Sequence, residues 1–280
     1  MADVADTAGM DGMAGPRSAV AAYVAISRLW VRSSLEYPVS FWTMTVGGLF
    51  ATGIDFVGIW VMFSHLTTYG GFDLREMGFL YGTSQLGIGI ADLVVGNVER
   101  IGMQIRLGRL DAMMSKPVPL LVQVCADQFA LRRVSRIVQG AAVLVWASWG
   151  VDWTPARVLV LLMMLVCGGV IFVGVFVSFS CVQFWTSDAS EFANAFTYGG
   201  VTLLQYPLTV FPKQLALGLT FVLPIAFANW YPSLFILGRH DTTGLPHWLE
   251  LASPAAALVM VVVTSAVWRL GVRHYTSTGS

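Results

Sequence analysis

Residues 158–182, VLVLLMMLVCGGVIFVGVFVSFSCV, form an apolar run without a charged side chain. About 20 apolar residues in a helix cross the hydrocarbon core of a bilayer, so this run is long enough to span a membrane. The rest of the chain agrees with this interpretation, since 56% of its 280 residues are hydrophobic and 11% are charged. Soluble domains carry about a quarter charged residues. The sequence therefore predicts an all-α polytopic membrane protein.

Three further segments meet the same length requirement, at 38–63, 76–96 and 254–271. Residues 132–150 reach it only if the arginines at their beginning extend their side chains to the phosphate groups. A sixth span is expected in the proline-rich region described next. The predicted transmembrane helices are 38–63, 76–96, 132–150, 157–182, 189–207 and 254–271, with a disordered tail at 1–16, a transmembrane domain at 17–276 and a short tail at 277–280.

The region from Ser190 to Leu237 is too long for one span, and it contains four prolines, which end or kink helices. Two interpretations follow from the residues alone. In the first, residues 190–206 span the membrane and 210–237 form a re-entrant helical pair. In the second, residues 215–236 span the membrane and 192–211 lie in the interface. Hydropathy favours the second interpretation, and both give six spans.

Basic residues are distributed unevenly between the two sides that six spans define. Twelve of the 16 lysines and arginines fall on the side of the termini, and basic residues accumulate on the cytoplasmic side. We therefore expect both termini to be cytoplasmic, and Tyr69, Asp152 and Thr242 to face outward. The 16 acidic residues balance the basic ones, so no overall positive field is available to bind nucleic acid.

Two segments outside the spans are amphipathic. In residues 17–37, Tyr23, Ile26 and Trp30 share one face, which predicts a helix lying along the cytoplasmic interface before Pro38. The alternative is that this segment is only the frayed beginning of the first span. In residues 99–116, an apolar stripe recurs at helical spacing, and Lys116 with Pro117 ends the helix. Such a helix can dock into a groove of a soluble partner or rest on lipid headgroups. The stripe consists of Met103, Leu107, Leu110 and Met114.

Motifs for hydrolytic or metal chemistry are missing from the sequence. It contains no GxxxxGK[ST] motif, and its four histidines show no metal-ligand spacing, so we expect neither a catalytic residue nor a metal site in this chain. Acidic residues at membrane depth are the remaining candidates. Asp92 is expected to reach the membrane interface or to pair with a nearby arginine such as Arg100. Asp55 has no basic neighbour in its own helix, so it either lines a polar pathway or makes a structural hydrogen bond. If the chain is instead a membrane anchor or an intramembrane enzyme, Asp55 is the candidate for its functional acid.

Several strings resemble a known family. They are GRLDAMMSKPVPLLVQ (108–123), EFANAFTYGG (191–200), LQYPLTVFPKQLALGLTFVLPIAFANWYPSLFILGR (204–239), LPHWLELASP (245–254) and WRLGVRHYTSTGS (268–280). Together they resemble the permease subunits of bacterial ABC-2 type exporters, in an uncharacterised transport-system group of that class. The likeness covers about residues 17–280. Its most specific features are Gly108, Asp111, Lys116 and Pro117, and the series of YP, FP, P and YP between 206 and 232.

The resemblance implies a specific architecture. Such subunits have six helices, an N-terminal interfacial helix, a cytoplasmic coupling helix after the second span and a re-entrant pair before the last span. It therefore favours the first interpretation, with the coupling helix at 99–116 and the re-entrant segment at 210–237. The residues implied in coupling to the ATPase are Met103, Leu107, Arg109, Leu110, Asp111, Met114 and Lys116. Those implied at an outer gate are Tyr206, Pro207, Phe211, Pro212, Pro224, Tyr231 and Pro232.

The resemblance also implies partners and a location. Two separate ATPase subunits are expected to bind ATP and magnesium, with no cofactor in this chain. A second, related permease is expected to complete the pathway as a heterodimer, with a homodimer as the alternative. The substrate is expected to be a hydrophobic or amphipathic molecule, such as a drug, secondary metabolite or glycolipid, exported across the bacterial cytoplasmic membrane.

The orientation can be tested with single cysteines at positions 106, 69, 152 and 242, after replacement of the three native cysteines. We expect an impermeant thiol reagent to label 69, 152 and 242 in intact cells, and to label 106 only after the membrane is opened. The three outward positions serve as controls for reagent access. Labelling of position 106 in intact cells contradicts the predicted orientation.

Overall fold

The computed structural model of the chain describes residues 16–130, 133–186, 189–239 and 244–275. These residues form helices joined by short loops, and the only β-type pairing within them is an isolated bridge between Tyr69 and Phe72. The predicted disordered tail lies, up to residue 15, outside the described residues, as do the tail at 277–280 and Thr242.

Twelve α-helices follow one another in the described part of the chain. The α-helices are α1 (Pro16–Leu35), α2 (Pro38–Phe63), α3 (Leu74–Val95), α4 (Ile101–Arg106), α5 (Arg109–Met114), α6 (Leu120–Ala126), α7 (Val134–Ser148), α8 (Pro155–Ser180), α9 (Ser190–Leu204), α10 (Lys213–Leu217), α11 (Trp230–Leu237) and α12 (Ser253–His274). Shorter 3-10 segments lie at Gly96–Arg100, Cys181–Phe184, Leu208–Val210, Pro224–Ala228 and His247–Leu251, and a π-helical turn lies at Gly218–Val222.

Local sequence signals explain where the long helices begin. Proline occupies the first turn of α2, α8 and α12, where its missing N–H removes a donor that would have no partner in the helix. Helix α3 begins with a capping box instead. The Asp73 carboxylate accepts the Glu76 backbone N–H at 2.8 Å, and the Glu76 carboxylate accepts the Asp73 N–H at 2.9 Å.

Four helices are long and apolar enough to cross a membrane: α2, α8, α12 and α3 with its continuation to Arg106. A fifth span results if the bent pair formed by Lys213–Val222 and Pro224–Leu237 crosses as one unit. Helices α7 and α9 contain 15 residues each, or about 22 Å at 1.5 Å per residue, which is shorter than the hydrocarbon core. Six spans therefore remain a prediction.

Helix α3 lies at the centre of the bundle. Its most apolar part is 83% buried, and it packs mainly against α7 and α8. The closest approach is between two glycines: a Cβ on Gly82 would lie 2.8 Å from the Leu144 backbone nitrogen, and one on Gly140 would lie 3.0 Å from the Leu86 nitrogen. Small residues at such a crossing let two backbones touch, as is common between membrane helices.

Helix α2 is the opposite case, since only Ile59 is buried along its length. One side of α2 contacts α7 and α3, where the Tyr81 hydroxyl donates to the Thr52 carbonyl at 2.9 Å. The remaining surface is apolar and exposed, with one exposed carboxylate, Asp55. Lipid or another protein chain must therefore surround most of this helix.

The proline-rich region forms a bent helical pair. Its two arms, Lys213–Val222 and Pro224–Leu237, meet at Leu223 with an angle of 73°. This bend excludes one straight helix over 215–236, because Pro224 has no N–H to continue the helical hydrogen bonds. The geometry is compatible with a broken span or with a re-entrant pair.

Candidate functional site

The segment predicted as one coupling helix over 99–116 is divided into three pieces. A 3-10 turn at Gly96–Arg100 leads into α4, and α5 follows after a break at Leu107 and Gly108. Gly108 has φ +65°, in the left-handed region that glycine adopts without steric cost. The prediction of a single continuous helix was therefore wrong, and the apolar stripe read from its periodicity does not lie on one helix face.

The division separates the stripe residues in space. Leu110 is fully buried in the core of the bundle, so it cannot contact a soluble partner as the stripe implied. Met103 and Leu107 are 36% and 56% exposed, and Met114 is half-buried. The exposed surface of this segment combines apolar and basic side chains. We call it the segment surface, and it consists of Met103, Leu107, Arg109 and Lys116.

Asp111 connects this segment to the end of the chain. Its carboxylate accepts a hydrogen bond from the Tyr275 hydroxyl at 2.9 Å, just beyond the end of α12. Burial, followed by this hydrogen bond and the charge of Asp111, raises the pKa of Tyr275 to about 12. The phenol therefore stays protonated at neutral pH and continues to donate, so α5 and the end of α12 are held together.

Amide side chains fix the rest of the segment to the bundle. The Gln183 carbonyl oxygen accepts the Gly102 backbone N–H at 2.9 Å, which links α4 to the end of α8. The Gln123 amide on α6 donates to the Met113 and Val118 carbonyls at 2.9 and 2.7 Å. Neither α6 nor these glutamines were identified from the sequence, where an isolated glutamine beside apolar residues was the only available signal.

A buried ion pair joins α3 to the residue that precedes α7. Asp92 on α3 accepts from Arg133 Nε at 3.0 Å and from the Tyr198 hydroxyl on α9 at 3.3 Å. The expected pairing of Asp92 with an arginine is confirmed, but its partner is Arg133 and not Arg100, which donates to Gln128. Arg136 lies over the Tyr198 ring at 5.3 Å. These contacts join α3, α7 and α9, because a buried carboxylate requires a charged or hydrogen-bonding partner.

The bent pair is held by one asparagine that sequence reasoning missed. Asn229 lies in the second arm of the pair, between its 3-10 turn and α11, and it is fully buried. Its side-chain amide donates to the Leu80 and Leu204 carbonyls at 3.1 and 2.9 Å. Its side-chain oxygen accepts from the hydroxyls of Thr83 at 2.6 Å and Ser233 at 3.3 Å. One side chain therefore connects α3, α9 and α11. The string AFANWYPS contained it, but its role depends on tertiary contacts.

The predicted gate residues occupy different environments. Pro207, Tyr231 and Pro232 are buried in the bundle, and Tyr231 pairs with Thr220 at 3.0 Å across the bend. The others are half-buried or exposed, and the Tyr206 ring packs edge-on against Tyr69. Accessible positions for a gate are therefore Tyr206, Phe211, Pro212 and Pro224.

Asp55 lies on α2, outside the segment at 96–116 and outside the bent pair. Its side chain is exposed on α2, and no hydrogen bond or ion pair joins it to another residue in the described part of the chain. An intramembrane acid catalyst would need an enclosed site with a second polar group beside the carboxylate. The described residues do not provide one.

Comparison with protein families decides the assignment. A family model described as ABC-2 family transporter protein matches residues 49–279, which is most of the chain. The chain belongs to this family. Neither the comparison with curated proteins nor the comparison with solved structures found a match. The family is a membrane component of ABC transporters that associates with ABC ATPase components and is not itself catalytic.

The permease assignment confirms the family that the sequence resemblance indicated. The segment at 96–116 and the bent pair are both joined to the same helix. The structure connects them through α3, which contacts Asn229 in its first half and Arg133 near its end.

Replacement of Asn229 by alanine tests the anchor of the bent pair. The variant leaves two buried carbonyls and two hydroxyls without this partner, so the free energy of unfolding should fall by about 1–3 kcal/mol. Thermal unfolding of the purified permease in detergent measures the change. Asn194→Ala is the matched control, because the Asn194 side-chain oxygen accepts no hydrogen bond among the described residues. Equal losses in the two variants would argue against an anchoring role.

Proposed function

We propose that this chain is the permease subunit of an ATP-driven exporter, and that it forms half of a translocation pathway for a hydrophobic or amphipathic molecule. A drug, a secondary metabolite and a glycolipid all have this chemistry. ATP and magnesium bind to separate ATPase subunits. When those subunits close, the residues of this chain that contact them are displaced. The observation that carries the proposal is the exposed segment surface on a rigid base, in a chain of the ABC-2 family.

The segment surface has the composition of a docking surface for a soluble partner. Met103 and Leu107 supply exposed apolar area, and Arg109 and Lys116 supply charge at its edge. Apolar contacts surrounded by polar ones are typical of protein interfaces. In this proposal the ATPase contacts these four residues, while Leu110 and Asp111 act indirectly by holding the surface in place.

Contacts behind the segment surface would transmit a displacement of that surface to the transmembrane helices. Leu110 is buried in the core, Asp111 is bonded to Tyr275 after α12, and Gly102 is bonded to Gln183 after α8. Closure of the ATPases would therefore move the ends of two long helices together with the segment. A partner shifts a conformational equilibrium only if it binds the two states differently, so this surface must be presented differently in each state.

The exposed surface of α2 supports a second permease chain. A carboxylate facing hydrocarbon is costly, and Asp55 has no partner among the described residues. A second permease or a water-filled pathway between the two chains would cover it. We propose a heterodimer with a related permease, with two ATPase subunits, and a homodimer as the alternative.

The bent pair is proposed to be re-entrant and to contribute to the gate on the outer side, with both termini cytoplasmic in a bacterial inner membrane. The 73° bend is compatible with this arrangement, and the polar groups bonded to Asn229 support it because they hold the second arm inside the bundle. Irregular backbone at membrane depth is tolerated where protein or water covers it. Helices α7 and α9 would then be the third and fifth spans, although each is shorter than the hydrocarbon core.

The double variant Met103→Asp with Leu107→Asp tests the docking surface. Each buried apolar side chain contributes roughly 1.5–3 kcal/mol to an interface, and the added carboxylates remain unpaired in the groove. We expect the permease to insert and fold normally, while the ATPase no longer co-purifies and ATP-dependent transport is lost.

Two comparisons make the result specific. Leu66→Asp adds a carboxylate at a similarly exposed leucine at the opposite end of the bundle, and it should leave ATPase binding unchanged. Leu110→Asp should instead lower the stability of the permease itself, because Leu110 is buried. Normal ATPase co-purification and transport by the double variant would show that the partner docks elsewhere.

A further inference from the structure

A cavity of about 350 Å³ lies at the end of the bundle opposite the chain termini. The beginnings of α3 and α8 and the ends of α7 and α11 surround it. Most of the spanning surface is apolar, but this cavity is lined by both signs of charge. Its charged residues are Asp73, Arg75, Glu76, Asp152 and Arg157.

Two of these charges are already engaged. Glu76 receives two hydrogen bonds from the Arg239 guanidinium, at 2.7 and 3.0 Å, so its charge is neutralised. One oxygen of Asp73 is used to cap α3. The side chains left to interact with a ligand are therefore Arg75, Arg157 and Asp152, together with the second oxygen of Asp73.

The two arginines are positioned by neighbouring groups. Arg157 donates from Nη1 to the Asp152 carbonyl at 2.6 Å, and its other donors have no partner among the described residues. The Arg75 guanidinium likewise makes no hydrogen bond or ion pair within the described ranges. Glycines make room for both: a Cβ on Gly150 would lie 3.0 Å from Arg75 Cδ, and one on Gly238 would lie 3.1 Å from Arg157 Nη2.

Neighbouring tryptophans indicate the depth of the cavity in the membrane. The loop that lines it, from Gly150 to Asp152, is flanked by Trp149 and Trp153, which are 76% and 39% exposed. Exposed tryptophans at helix ends concentrate at the level of lipid headgroups. The cavity therefore lies where a phospholipid carries its phosphate group.

We propose that this cavity binds the headgroup of a zwitterionic aminophospholipid. The phosphate would lie between the guanidiniums of Arg75 and Arg157, whose planar donors match phosphate oxygens, and the ammonium would lie near Asp152 and Asp73. The volume is sufficient for a small polar group. Carboxylates in the same cavity disfavour a headgroup with net negative charge and favour one that also carries a donor amine. This lipid site is independent of ATPase docking and of the exported substrate.

Native mass spectrometry of the full-length chain in detergent tests the site. The protein is titrated with phosphatidylethanolamine, phosphatidylglycerol or phosphatidylcholine of the same acyl chains. We expect phosphatidylethanolamine to bind at least tenfold more tightly than the other two. The double variant Arg75→Gln with Arg157→Gln should weaken that binding at least tenfold, because hydrogen bonds between charged groups are lost. Gly150→Ala, which crowds Arg75 without removing charge, should weaken it to a lesser extent.

Controls separate the site from general effects. Lys213→Gln removes an exposed positive charge elsewhere at the same end and should not change lipid binding. Thermal unfolding confirms that each variant is folded. Soluble phosphoethanolamine should compete with the lipid, while equal competition by inorganic phosphate would overturn the assignment to a lipid headgroup. Equal binding of the three lipids, or unchanged binding by the double arginine variant in its folded form, would also overturn it.

Discussion

In the hydrocarbon of a membrane, each backbone N–H and C=O group must find a partner within the protein. This constraint is most severe where the chain breaks its helices, between Leu204 and Trp230. The structure meets it with Asn229, which contacts carbonyls of α3 and α9 and hydroxyls of α3 and α11. These bonds hold the second arm of the 73° bend against α3 and α9, while Gly82 and Gly140 let α7 pack closely on α3.

Two surfaces of the chain are exposed around the buried helix α3, and both are available for binding to other protein chains. Helix α2 exposes nearly its whole length, including Asp55, and the segment surface exposes apolar and basic residues on a rigid base. In the proposed function, a second permease covers the first surface and an ATPase binds to the second, in a chain of the ABC-2 family. The bond from Tyr275 to Asp111 and the bond from Gly102 to Gln183 connect the second surface to the bundle.

Sequence patterns predicted the long helices well because apolar runs and prolines act locally. Helix α8 begins at Pro155 and α12 at Ser253, within a few residues of the predicted spans at 157–182 and 254–271. Sequence patterns did not predict helix breaks that depend on backbone conformation, or side-chain partners that are distant in the sequence. Gly108 has a left-handed conformation that ends the helix, so the apolar residues before and after it do not form the continuous stripe that their spacing predicts. After this break, Leu110 lies in the core. Partners far apart in sequence, such as Asp92 with Arg133 and Asn229 with Leu80, leave no local signal.

The central claim is that this chain forms half of a pathway and needs a second permease and ATPases. Native mass measurement of the assembly, purified through this chain and shown to transport, tests that claim most directly. We predict a mass equal to one copy of this chain, one related permease and two ATPase subunits, while two copies of this chain with two ATPases would select the homodimer. A transport-competent particle with one copy of this chain as its only membrane subunit would contradict the account.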